Sequence, residues 1–285
     1  MQPDLGLVAA RFLSMALLMA SVGVPFYLLT DGQVALDRRQ RNALGFIALA
    51  AICASVWWAC ASVAAMAATP LFDLDRETLS AVLDATPLGP VLYVRLVAAL
   101  CLIAILALWP RTLPAFLIAF VALASSAWTG HSGAAEGGLG LFQRLLDVFH
   151  LGAGSLWLGA LLVFVSSVFR ETDHNSLVER LSAFSRTGTI VVCVLAFTGA
   201  ANTLLIADGD WSPSSGWTLL LAAKLALFAA MLGLAGINRW RLTPALARGE
   251  TGAERHLLWS LCLESACAIA IVALVATLGM LDPGA

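Results

Sequence analysis

GHSGAAEGGLGLFQRLLDVFHLGAGSLWLGALL, residues 130–162, holds two of the chain's four histidines, a glycine-rich turn and the start of a long apolar helix. Asp147, His150, Gly154 and Trp157 stand at i, i+3, i+7 and i+10, so a helix puts all four on one face. The apolar run that starts here extends over 146–169, which reaches the ~20 residues needed to cross about 30 Å of hydrocarbon. An aspartate and a histidine on the inward stripe of such a helix are costly in lipid, and that cost marks the stripe as a functional-site candidate. The rest of the chain reads as a scaffold for it.

The composition agrees with a membrane fold. Hydrophobic residues make up 60% of the 285 and charged residues 12%, against about 25% charged in an ordinary soluble domain. The mean hydropathy is +0.90. A net charge of −2, carried by scattered residues, provides no basic face for nucleic acid. Cys53, Cys60, Cys101, Cys193, Cys262 and Cys267 all lie in apolar runs with no CxxC pair, so neither a disulfide framework nor a thiolate zinc site is indicated. The sequence also lacks a Walker lysine motif, so nothing in it is built to hydrolyse ATP.

Eight apolar segments follow one another at 7–29, 44–68, 89–109, 113–129, 146–169, 188–207, 216–237 and 257–280. The expected fold is an all-α polytopic membrane protein of eight transmembrane helices, forming a single transmembrane domain over 1–285. The flank MQPDLG is acidic and the first apolar run exceeds a signal-peptide core, so the first segment is expected to remain as a helix. Arginines concentrate in alternate connections: Arg38, Arg39 and Arg41, then Arg111, then Arg170, Arg180 and Arg186, then Arg239, Arg241, Arg248 and Arg255. Basic connections stay in the cytoplasm, so all four predict the same side and put both termini in the periplasm.

That orientation gives depths to the polar residues. At 1.5 Å per residue His150 falls ~7 Å below the outer surface and Lys224, the only lysine, about 10 Å in. Asn202, one turn from Thr198, and Arg95 lie near the outer ends of their segments, while Glu264 enters from the cytoplasmic side. Together with Trp157, Met15 and Met19 they are the candidate lining of a polar cavity. His131, His150 and Asp147 are the candidate metal site: imidazole is a ligand for several transition metals, and thioethers suit soft ions. The plainer reading makes His131 an interfacial cap, His150 a bundle hydrogen-bonder, Arg95 a snorkelling side chain and the cysteines small hydrophobes.

Three blocks carry a resemblance. RLSAFSRTGTIVVCVLAFTGAANTLL (180–205), GWTLLLAAKLALFAAMLGLAGINRWRLTPAL (216–246) and LLWSLCLESACAIAIVAL (257–274) resemble the CopD/PcoD family of bacterial copper-resistance inner-membrane proteins, which places a CopD-like helical core at 180–280. TPLGPVLYVR (86–95) and the H…DxxH…WxGxL pattern ending in GAL resemble further stretches of that family. Helix one departs from the family, reading RFLSMALL where the resemblance leads one to expect a histidine near Ser14, although Met15 and Met19 lie close by. The resemblance implies no enzyme activity. It implies copper ions handled between periplasm and cytoplasm in the lipid bilayer of the inner membrane, delivered by a separate periplasmic CopC-like donor. A b-type haem held by the same histidine pair is the alternative.

Overall fold

The computed structural model describes residues 4–130, 137–169, 174–207, 212 and 215–281. Among these the architecture is helical: α1 Leu5–Thr30, α2 Arg38–Met66, α3 Arg76–Ala85, α4 Leu88–Leu108, α5 Thr112–Ala124, α6 Gly137–Val168, α7 His174–Ala207, α8 Gly216–Ile237, α9 Thr243–Ala247 and α10 Ala253–Leu278. Seven helices are long and apolar enough to cross a membrane; Thr112–Trp128, α5 with a 3-10 turn, is a shorter apolar helix.

The helix starts follow local chemistry. Asp37 caps α2, accepting from Arg39 N and Gln40 N at 2.7 and 2.8 Å, while Gln40 Oε1 returns to Asp37 N. Asp4, Asp75 and Ser215 cap α1, α3 and α8 in the same sense. Several helices outrun their apolar segments. Helix α6 starts at Gly137 rather than near 146, and α7 at His174 rather than 188. Residues 137–145 and 174–187 were expected in connections, yet their backbone groups are satisfied by extending the helix beyond the hydrocarbon-length core.

Helix α1 is the hub, packed on α2, α5, α6 and α10. It crosses α6 where both helices have glycine: a Cβ on Gly23 would lie 2.0 Å from Ser155 O, and one on Gly159 2.0 Å from Gly23 O. Small residues at a crossing let backbones approach and trade side-chain volume for dispersion contact. On one side of it Tyr27, Phe164 and Phe184 form edge-on ring pairs 5.1–5.6 Å apart.

The arginine-bearing connections gather at one end of the bundle. Leu36 N donates to Pro110 O and Thr112 N to Val34 O, at 2.9 and 3.0 Å, tying the α1–α2 connection to the α4–α5 turn. Arg180 at the start of α7 meets Asp31 at 3.0 Å. At the opposite end, Trp217 clusters with Ala207 and Leu278, and the amphipathic α3 packs Leu79 and Val82 near Leu7, Trp58 and Val91.

Candidate functional site

Helices α6 and α7 run antiparallel, and their polar residues meet as two rungs. His150 Nδ1 lies 2.8 Å from Thr198 Oγ1, and Asn202 Nδ2 donates to Asp147 Oδ1 at 2.5 Å. The i, i+3 pair on α6 thus faces the i, i+4 pair on α7. Thr198 has one hydroxyl proton and donates it to Val194 O at 2.6 Å. Toward His150 it is therefore an acceptor, which puts the ring hydrogen on Nδ1 and leaves the Nε2 lone pair without a partner among the described residues. Thr198 and Asn202 are buried, at 3% and 8% exposure, while His150 and Asp147 are half-buried.

Two further elements close on these rungs. Lys224 of α8, half-buried, lies within electrostatic reach of both His150 and Asp147. Met19 of α1 sets its methyl group against Gly154, one turn along α6 from His150. Met15, a turn earlier on α1, is half-buried against the same core. His131 lies outside the described residues. Among the described residues no group of three or more His, Cys, Asp and Glu side chains converges, so from described helices the metal candidates reduce to the Asp147–His150 pair.

A second polar constellation sits farther along α6. Trp157 Nε1 donates to Glu264 Oε1 at 2.6 Å, and Asn238 Nδ2 to Glu264 Oε2 at 3.0 Å. Glu264 is 3% exposed. Asn238 opens a five-residue π-helical turn, Asn238–Leu242, between α8 and α9. Arg95 stands apart from both groups. Its guanidinium donates to Ser14 Oγ at 3.2 Å and Ser126 Oγ at 2.9 Å and stacks over Trp58 at 4.2 Å, between α1, α2 and α4. Arg11, near the same end of α1, lies within its electrostatic reach.

The copper resistance protein D-like N-terminal domain matches residues 1–141, and the copper resistance protein D domain matches 178–278. The chain belongs to the copper resistance D family. It is 36% identical over 179 residues to copper resistance protein D of Pseudomonas syringae pv. tomato, covering 59% of this chain and 58% of that protein. It is 25% identical to the inner membrane protein YebZ of Escherichia coli, over 70% of each. With the copper transport protein CutJ of Bacillus subtilis it shares 31% identity over 40% of this chain and 22% of that protein. The chain thus spans just over half the length of its copper resistance protein D relative. No solved structure matches it.

For this copper resistance D chain, sequence reasoning missed Asn238, Ser14 and Ser126 as partners. Asn238 stands in the NRWRL motif, but nothing in those letters announces a π turn that aims its amide at α10. Ser14 and Ser126 are ordinary small residues in apolar runs, and only the fold brings them to Arg95. The six cysteines are free, and Cys53 and Cys101 face outward, the disposition of small hydrophobes against lipid.

Proposed function

We propose that this protein handles copper in the bacterial inner membrane, moving it between periplasm and cytoplasm through a site built on His150, Asp147 and His131. The observation that carries the reading is the imidazole of His150: its Nδ1 is committed to Thr198 and its Nε2 lone pair is free of partners among the described residues. A ligating histidine is held in this way, with the second nitrogen bonded so that tautomer and ring angle are fixed. Asp147, one turn away, supplies a carboxylate either to the ion or to the imidazole of His131. Met19, over Gly154, offers a thioether deeper along the path, which suits Cu(I). The names of the copper resistance and copper transport relatives support the same cargo.

In this reading the chain spans the membrane eight times, with Thr112–Trp128 as the short span, and forms one domain over 1–285 whose core is 180–280. Both termini are periplasmic, because the arginine-bearing connections share one end of the bundle. Copper arrives at the opposite end from a periplasmic CopC-like carrier. The protein binds and passes the ion and catalyses no reaction. Lys224, Asn202, Arg95, Trp157 and Glu264 line or support the route.

Copper titration of the purified protein tests the reading. Wild type binds copper with an affinity that falls as pH drops, because a ligating imidazole must be neutral, and His150→Ala and His131→Ala each bind more weakly than wild type, the gap narrowing in acid. Unchanged copper stoichiometry and affinity in both folded variants overturns the site. A Soret band in the purified protein would transfer the histidines to haem.

A further inference from the structure

A cavity of ≈ 220 Å³ opens between α6, α7, the π turn and α10, lined by Trp157, Phe184, Ser185, Asn238, Arg239 and Glu264, among others. Its polar wall is unlike the His150 site. Glu264 brings a carboxylate that is 3% exposed, and the two groups that hydrogen-bond it, an indole N–H and a carboxamide, are both neutral. Neither compensates its charge. Among the described residues the other ionisable side chain lining the cavity is Arg239, which is exposed and donates to Ser185 O at 3.4 Å and Thr189 Oγ1 at 3.2 Å.

The remaining oxygens are unspent. Asn238 Oδ1 and Ser185 Oγ are buried with no hydrogen-bond partner among the described residues, and both residues line the cavity. Ser260 Oγ, one turn before Glu264 on the same face of α10, is likewise buried and unpartnered among the described residues. A buried acceptor without a donor is costly, and several of them around one carboxylate call for a positive guest. The π turn makes the arrangement possible by shifting the register at Asn238, a device found often at functional sites.

We propose that this cavity binds a small, hard monovalent cation, either an alkali-metal ion or a proton, at Glu264, Asn238 and Ser185. One carboxylate balances one positive charge. Carboxylate, carboxamide and hydroxyl oxygens with no thiol, thioether or imidazole select hard ions over Cu(I). Trp157 lies two turns along α6 from His150, so the same helix carries a soft-ion candidate in one half and a hard-ion site in the other. The binding chemistry stands independently of the copper reading; a role as coupling ion rests on it.

Trp157 is a built-in reporter, since its indole N–H touches the carboxylate. The signal is the fluorescence of the full-length detergent-solubilised protein minus that of Trp157→Phe. One arm titrates NaCl and KCl against choline chloride at constant ionic strength. The other titrates pH in choline chloride. A saturating response to sodium or potassium identifies an alkali-metal site, and a response to pH alone identifies a proton site. In either case Glu264→Gln abolishes the response, Asn238→Ala, which keeps the carboxylate, shifts the midpoint about tenfold, and His150→Ala leaves it unchanged. Absence of a response in both arms, persistence in Glu264→Gln, or an unmoved midpoint in Asn238→Ala overturns the proposal. Copper affinity measured on the same Glu264→Gln protein separates failure here from failure of the copper site.

Discussion

Thr198 joins His150 to the α7 backbone: its hydroxyl accepts from Nδ1 at 2.8 Å while donating to Val194 O at 2.6 Å. The imidazole is thereby locked to a helix rather than to another mobile side chain. Replacing Thr198 with valine keeps the shape but removes the acceptor. Copper affinity should fall 10- to 100-fold, the usual effect of losing the group that orients a ligating histidine. Thr198→Ser should restore most of it. Competition titration against a chromogenic Cu(I) chelator reads both, and equal affinity in all three proteins would separate Thr198 from metal binding.

Gly199 provides a finer test of the same geometry. A Cβ there would sit 3.3 Å from His150 Cε1 and 3.8 Å from Nδ1, so Gly199→Ala must push the ring by a few tenths of an ångström. Copper binding should weaken several-fold, with thermal stability little changed. Gly188→Ala, where the nearest atom is Phe184 Cε1 at 3.6 Å, is the matched control on the same helix and should bind copper as wild type does.

The α1–α6 crossing yields a stability prediction. Gly159→Ala would place a methyl 2.0 Å from the Gly23 backbone, and no rotamer relieves a backbone clash. Overpacking of this kind costs about 1–3 kcal/mol, and more where backbones must separate. The melting temperature in detergent should drop clearly, and copper binding should weaken with it because α1 carries Met19. Gly233→Ala, with open space around its Cβ position, should be neutral or slightly stabilising, since alanine favours helix.

The contrast between these sites shows what the sequence carried and what it did not. Helix order was legible because runs of hydrocarbon length announce themselves. Helix ends were not, because α6 and α7 continue as helix through segments whose polarity resembles that of connections. The face of α6 with Asp147 and His150, and that of α7 with Thr198 and Asn202, could be read from spacing alone. That the two faces meet rung to rung depends on antiparallel packing. The Glu264 constellation was illegible: residues 157, 238 and 264 come from three elements, and the π turn that aims Asn238 has no residue signature. Arg95 was expected among outward-facing polar groups, yet its hydroxyl partners and the Trp58 ring come from elements distant in sequence.

Lys224 gives the remaining prediction, because its charge opposes the cargo. It lies within electrostatic reach of His150 and of Asp147, whose carboxylate also accepts from Asn202 at 2.5 Å. Two positive charges ~10 Å apart repel by about 1.7 kcal/mol at an effective dielectric of 20. A copper ion at His150 therefore binds more weakly with the lysine present, and such weakening favours onward release. Lys224→Met removes the charge while keeping an unbranched chain of similar length. Its copper affinity should rise on the order of tenfold, with slower dissociation and poorer copper-dependent growth in cells. Lys224→Arg keeps the charge and should bind as wild type. Measured dissociation rates decide the matter: if the methionine and arginine variants release copper at the same rate, the lysine acts on the fold and not on the ion.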